Sequence, residues 1–344
     1  MPNFANPRST APGPQPRTSR ALDLLVVGDA NPDLILHGGD IEPMFGQHER
    51  IVDHGALVLG GSGAITAVGA ARLGLRTAMA AAVGDDVLGR FMLEKLATAG
   101  VDTTAVRVFD DVPTGISVAL ARPDDRAVLT ARGALSAFDP AEVPDAVLRR
   151  TRHVHIASPF LQPRLLDGLE KLVARAHAAG ATVSMDTGWD PEQRWNSVAT
   201  AVGAVDVLLP NAQEAVRLAA AAHQPVGTSA PDRELPATDE PVAAAGVLAA
   251  RGPLVAVKLG AEGAVAVHDG AVVRAAPYSM QTVDATGAGD SFDAGFLAGW
   301  LGGADIVSSL ALGCACGALS TRHAGGTGGQ PTREEADALI TSMS

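Results

Sequence analysis

Val283–Trp300 reads VDATGAGDSFDAGFLAGW, and the rest of the chain makes most sense arranged around it. Gly287, Ala288 and Gly289 are small enough to let backbone N–H groups face outward. From Asp290 onward Phe292, Phe296 and Leu297 fall on one side at helical spacing. The spacing predicts a helix beginning near Gly289. Its first N–H groups lack partners within the helix, and the positive end of its dipole favours an anion such as a phosphate or a developing alkoxide. Asp290 falls in the first turn. A carboxylate there can take a proton from a substrate hydroxyl while the amides hold a phosphoryl group. It can equally serve as a helix cap, since Asp is favoured in first turns.

The whole chain has 344 residues, enough for one large α/β domain or two ordinary ones, and 47% apolar content supports a sizeable core. A net charge of -12 argues against electrostatic binding to nucleic acid or to an acidic membrane surface and leaves small molecules as the expected partners. Residues 1–20 are rich in Pro, Ser, Thr and Arg without a continuous apolar segment, so a disordered tail is expected rather than a secretory signal or anchor. Arg72 and Arg76 break the most apolar region, no run approaches the roughly 18 apolar residues of a spanning helix, and a cytoplasmic protein is expected. Cys314 and Cys316 lie two apart in a small-residue helix and are expected to be buried structural thiols. His153 and His155 share one face of a strand expected to be half-buried.

Earlier in the chain, DLLVV (23–27) is bounded by Gly28 as a buried strand would be, and it leads into DANPDLIL. Asn31 and Asp33 would stand at the sheet rim, where open α/β sheets place ligands, although an Asx turn around Pro32 explains them too. Residues 37–59 are irregular before regaining β character. Leu59-Gly60-Gly61-Ser62-Gly63-Ala64 then opens an Ala-rich helix through Leu73, with glycines that let a ligand approach the backbone. Residues 76–83 read as one strand, followed by a helix capped by Asp85 or Asp86. TGISVALA, PDDR and AVLTARG form a hairpin signal. Beyond Phe138, HVHIA, a helix from Pro163 to Ala179, ATVSMD, a helix near Pro191 and VDVLL are βα units of a mainly parallel sheet. Asp186 and Trp189, in the DTGWD turn, are placed to meet a ligand, or Trp189 covers a core edge. Asn211 and Glu214 stand three apart at a helix start, which suits one shared site or a capping box. Residues 223–241 read as a surface insertion. LVAVKLGAEGAVAV gives strand, turn and strand, with Lys258, Gly260 and Gly263 in the connection; Lys258 suits a phosphate contact or a solvated charge.

DATGAGD (284–290), followed by Ser291-Phe292 and the small residues Ala294, Gly295, Ala298 and Gly299, resembles the C-terminal signature of the ribokinase-like (PfkB) carbohydrate kinases. GGSGA (60–64), the N-x-x-E pair and the lid segments follow in family order, so the resemblance covers roughly residues 22–340. It implies an α/β fold with a doubly wound, mainly parallel central sheet, helices on both faces and a small β lid. The kinase domain would span 21–344, with lid segments at about 34–59 and 112–132. The resemblance further makes Asp290 the base and Gly287, Ala288 and Gly289 the anion hole. It places Asn31, Asp33, Gly60, Gly61, Ser62 and the Ile65 position at the sugar. Ile65 stands where the family usually has Asn, which removes a hydrogen-bonding group. Asn211, Lys258, Gly260 and Gly263 would meet the nucleotide, Glu214 would hold Mg²⁺ through water, and Asp284 and Thr286 match a monovalent-cation (K⁺) position of some members. An adenine pocket is implied between the segment after Lys258 and the helix and loop beyond Ala304.

The expected activity is ATP-dependent phosphorylation of a sugar hydroxyl, with no Walker A sequence and hence the phosphates held by GAGD. A nucleoside kinase of the same family is the near rival, although 3% aromatic content argues against a base-stacking site. A catalytically inactive ligand-binding relative is the rival from another class, with Ile65 as its main support. A lid sheet edge would permit a homodimer without requiring one.

Overall fold

Strongly apolar β runs separated by helical segments leave the chain little choice but a sheet covered on both faces. The computed structural model describes residues 20–122, 126–222 and 241–342. The expected tail up to residue 19, most of the hairpin turn at PDDR and nearly all of the expected insertion lie outside these. The strands are β1 (Leu22–Val27), β2 (Pro32–His37), β3 (His54–Leu59), β4 (Thr77–Ala80), β5 (Ala82–Gly84), β6 (Arg107–Phe109), β7 (Ile116–Ala121), β8 (Arg126–Ala131), β9 (Thr151–Ala157), β10 (Thr182–Asp186), β11 (Val207–Leu208), β12 (Leu254–Lys258), β13 (Ala264–His268) and β14 (Ala271–Ala275). The helices are α1 (Ser62–Arg72), α2 (Val87–Thr98), α3 (Asp145–Arg150), α4 (Pro163–Ala178), α5 (Ala199–Val202), α6 (Ala212–Ala221), α7 (Pro241–Ala249), α8 (Ala288–Leu301), α9 (Ile306–Ser320) and α10 (Arg333–Ser342).

Eight strands form the central sheet in the order β14-β13-β12-β11-β10-β9-β1-β4. All neighbours are parallel except β12 with β13 and β13 with β14. Every residue of β1 is buried, and its side chains divide between two cores. Leu25 and Val27 join the core of α4, α6 and α7, whereas Leu24 and Val26 join that of α1, α8 and α9. From β1 the chain steps out to β4 on one side and returns to β9 on the other. The crevice at the C-terminal ends of β1 and β9 is therefore a topological switch point, where open sheets bind ligands. At the opposite end Asp23 accepts from Arg76 Nε at 2.8 Å and from Arg152 at 3.0 Å, tying β1 to its two neighbours.

A second sheet, β3-β2-β7-β8, stands over that crevice as the lid. Its strand β2 starts at Pro32, so Asp33, expected at the rim of the central sheet, is instead at the root of the lid, opposite Val58 and Ser117. The strand expected over 76–83 breaks at Ala81, because β5 leaves the central sheet to pair with β6. The helix expected near Pro191 is reduced to a 3-10 turn at Trp195–Val198 and the four-residue α5. Asp190 holds the preceding loop by accepting from the amides of Glu192 and Arg194. β9 is buried on both faces rather than half-buried. His153 meets Thr182 and Ser184 at 2.7 Å, His155 meets Ser184 at 2.8 Å, and burial holds both rings neutral by lowering their pKa. Those partners are hydroxyls, which argues for a structural pair.

Small residues on α8 are explained by its packing on α9: a Cβ on Gly295 would lie 2.8 Å from Cys316 Sγ, and one on Gly299 would lie 3.1 Å from Ser309 Cα. Phe292, Phe296, Leu297 and Trp300 are buried in the core that α8 shares with α1, α9 and one face of the sheet. At about 1.5–3 kcal/mol for each large apolar side chain removed from water, they anchor the helix whose first turn faces the crevice. No described helix is long and apolar enough to cross a membrane.

Candidate active site

Gly287 caps α8 with φ 73°, a left-handed conformation that favours glycine. A Cβ there would also stand 2.7 Å from Gly326 Cα and 3.1 Å from Ile65 Cγ2. Among the described residues the amides of Gly289 and Asp290 make no backbone hydrogen bond, as the start of a helix requires. Ala288 differs from expectation: its amide donates to Ala285 O at 3.2 Å. The two amides that follow it are therefore the better anion donors. Asp290 is half-buried. Burial first, then the neighbouring Asp186, pushes its pKa up to about 8, against the pull of Lys258 and a slight downward draw from the nearby Ser62 hydroxyl.

The C-terminal end of β1 supplies the opposite wall. Asp29, which no motif of the sequence singles out, is buried and accepts from the amides of Gly63 at 2.8 Å and Ser62 at 3.1 Å, capping α1 from another element. Burial raises its pKa to about 6. Asn31 Nδ2 donates to Ser117 Oγ at 3.1 Å and to Asp33 Oδ1 at 3.4 Å. The Asp33 carboxylate lies directly over Gly60, where a Cβ would come within 2.1 Å of its Cγ. Burial and then Asp29 push Asp33 up to about 7, while Arg126 and Ser117 pull it down. Asn31, Asp33, Gly60, Gly61 and Ser62 are thus brought together. Ile65 is not part of that polar wall. It is buried, and a Cβ on Gly326 would meet its Cδ1 at 2.4 Å, so its side chain packs beneath the glycine loops.

The far wall differs more from the sequence reading. Lys258 is neither solvated nor free for phosphate: its Nζ donates to Asp186 Oδ2 at 2.7 Å and to Asp293 Oδ2 and Oδ1 at 3.1 and 3.2 Å. Oxygens of Asp186, Asp290 and Asp293 lie within 4.8 Å of one another, but the lysine ammonium already binds two of them, which makes an ion cluster rather than a metal cage. Asn211 and Glu214 close a complete capping box, Asn211 N donating to Glu214 Oε2 at 2.8 Å and Glu214 N to Asn211 Oδ1 at 2.9 Å. Burial, then Asp186, raises Glu214 to about 7. Asp284 and Thr286 serve the loop before α8. Asp284 accepts from the amides of Thr286 and Gly325, both at 2.8 Å, and Thr286 Oγ1 accepts from Arg126 of the lid at 2.8 Å. A guanidinium on Thr286 and two amides on Asp284 do not fit a monovalent-cation site built on those side chains. Trp189 sits edge-on to Trp195 at 5.2 Å, the end of an aromatic row that continues to Phe160.

Beyond Gly289 opens a cavity of about 480 Å³, lined by Gly260, Gly263, Tyr278, Met280, Phe292 and Cys314 among others, with Lys258, Ala288 and Gly289 at its inner end. Cys314, expected to be a structural thiol like Cys316, faces this cavity, and burial keeps its thiol protonated with a pKa of about 12. The cavity lies between the β12–β13 turn and α9, and the first residues of α8 form part of its lining.

Residues 21–333 match the profile described as pfkB family carbohydrate kinase. An ATP-dependent ribose-1-phosphate kinase of Halopiger xanaduensis is 32% identical over 287 residues, covering 83% of this chain and 86% of that one. A nucleoside kinase of Methanothermobacter thermautotrophicus is 30% identical over 294 residues, covering 84% and 85%. A crystal structure described as a putative ribokinase II of E. coli with ATP and Mg²⁺ superposes with a TM-score of 0.78 over 93% of this chain and 99% of that one; the identity is 23%, a likeness of fold.

Proposed function

The chain belongs to the pfkB family of carbohydrate kinases, phosphotransferases that act on an alcohol group, and we propose that it transfers the γ-phosphoryl group of ATP to a hydroxyl of a small carbohydrate. The observation that carries this reading is the pair of unpartnered amides at Gly289 and Asp290, placed between a ring-sized cavity and a half-buried carboxylate. The nucleoside part of ATP lies in the cavity against Gly260 and Gly263, and its terminal phosphate meets the start of α8. Asp33 and Asn31 orient the acceptor sugar through hydroxyl hydrogen bonds. Asp290 takes the proton of the acceptor hydroxyl, the oxygen bonds to the γ-phosphorus, and the bond to the β–γ bridging oxygen breaks to release ADP. The amides stabilise the negative charge on the transferring group without moving. Hard oxygen donors and an excess of buried carboxylates near Glu214 fit Mg²⁺ held there through water; when bound, the ion screens the charge of the phosphates.

ADP release measured over pentoses, hexoses, keto-deoxy acids, sugar phosphates and nucleosides tests the reading. Turnover with none of them, together with saturable binding, would replace it by a ligand-binding role. The nucleoside kinase relative supports the rival acceptor class, which the same screen decides.

A further inference from the structure

We propose that Lys258 is a positioning residue for this transfer: its ammonium braces the first two turns of α8, with Asp290 and the amides beside it, against the C-terminal ends of β10 and β12. The inference rests on Asp290 being the base. An ammonium has three donors, and the bonds from Nζ to Asp186 and Asp293 engage them. The lysine stem passes Gly289, where a Cβ would sit 3.6 Å from Nζ. Its backbone is held in turn, since Lys258 N donates to Pro210 O at 3.0 Å and the residue bridges to Asn211. One side chain therefore spans β10, β12 and α8. Asp290 and Asp293 are three apart on α8 and share a face, so fixing Asp293 fixes the direction in which Asp290 points.

The brace also carries charge. Asp186 from β10, Glu214 from α6, Asp290 and Asp293 from α8, Asp29 from the end of β1 and His155 from β9 all face this region. Lys258 acts on Asp290 in the direction opposite to burial, Asp186 and Asp29. Removing the ammonium leaves the base harder to ionise, whereas neutralising Asp186 makes it easier. A buried ion pair that served stability alone would shift the ionisation of Asp290 through space but leave kcat at the pH optimum unchanged, and such pairs are often replaceable by apolar residues without loss.

The test is the kcat/KM pH profile, with kcat and the KM for ATP, of the full chain carrying Lys258→Met, Lys258→Arg or Asp186→Asn, with folding checked by near-UV circular dichroism. Lys258→Met is expected to lower kcat about 30- to 1000-fold, to leave KM for ATP within about threefold, and to move the acid limb about one pH unit upward. Lys258→Arg should restore the limb, and Asp186→Asn should move it downward. If Lys258→Met does not fold, the downward shift in Asp186→Asn still tests the charge. A folded Lys258→Met with unchanged kcat and limb overturns the proposal, as does a raised KM for ATP at unchanged kcat, which would make Lys258 a phosphate ligand. Asp290→Asn separates the two ideas: its full activity would remove the base, whereas an inactive Asp290→Asn beside unaltered Lys258 and Asp186 variants would remove only the brace.

Discussion

Asp290 shares its surroundings with several other carboxylates, and that company decides how it titrates. If Asp290 is the base proposed above, its pKa of about 8 means that it must lose a proton in the free chain before it can act. kcat/KM, which reports the free enzyme, should therefore rise with pH to a limb near 8, and a flat profile between pH 6 and 8.5 would show that another group takes the proton. Asp290→Ala should lower kcat by roughly 10² to 10⁴, read from ADP release on the identified acceptor. Ile65 makes a contrasting case. Its apolar side chain supports the loops of Gly287 and Gly326 from below, so Ile65→Asn would bury an amide among apolar atoms and should cost about 1–3 kcal/mol in urea unfolding. GAGD was readable from small residues and helical spacing. Asp29 was not, because its partners Ser62 and Gly63 lie on another element and no local pattern announces them.

At the scale of elements, the α8 terminus and the lid are the parts that must meet. Gly287→Ala imposes a left-handed φ on a residue with a Cβ and drives that atom into Gly326, which should cost about 1–3 kcal/mol and misplace the amides. Denaturant melts and kcat should fall together. Arg126 joins β8 of the lid to Thr286, one residue before the glycine turn. Arg126→Ala should raise the KM for the acceptor several-fold, since a charge-assisted hydrogen bond is worth about 1.5–3 kcal/mol at most and less at an exposed position, with the KM for ATP unchanged. The lid was legible as short β runs near Gly60 and after Val112. That β2 begins at Pro32 was not, because DLLVV and DANPDLIL read as one continuous approach to a sheet rim until pairing with β3 and β7 separates them.

Across the whole molecule, the carboxylates gathered around the crevice weaken the unliganded fold as pH rises. Asp29, Asp33, Glu214 and Asp290 have pKa values of about 6, 7, 7 and 8 in the folded chain, above the roughly 4 of an unfolded carboxylic acid. Folding favours their protonated forms, so this stabilisation is complete below about pH 4 and is lost as pH climbs through 6 to 8. The unliganded Tm should fall between pH 5 and 8.5, with a shallower slope in Asp290→Asn; a slope unchanged by that substitution would contradict the assignment. Asp23 behaves oppositely, because Arg76 and Arg152 hold its pKa down and its contribution is lost only in acid. ATP with Mg²⁺ at a hundredfold excess over its Kd should restore about 2.7 kcal/mol by mass action, visible as a rise in Tm.

The sequence by itself determined the alternation of strands and helices and the glycine turn that puts Asp290 in the first turn of α8, because each depends on residues within one turn or one strand of each other. Only the tertiary structure decided the company those residues keep. Lys258 turns to Asp186 and Asp293, Asp29 caps α1, and Arg126 reaches Thr286 across 160 positions of sequence. Charge interactions act through space at a few ångströms, and the order of strands in the sheet, invisible to any local window, sets which charges come that close.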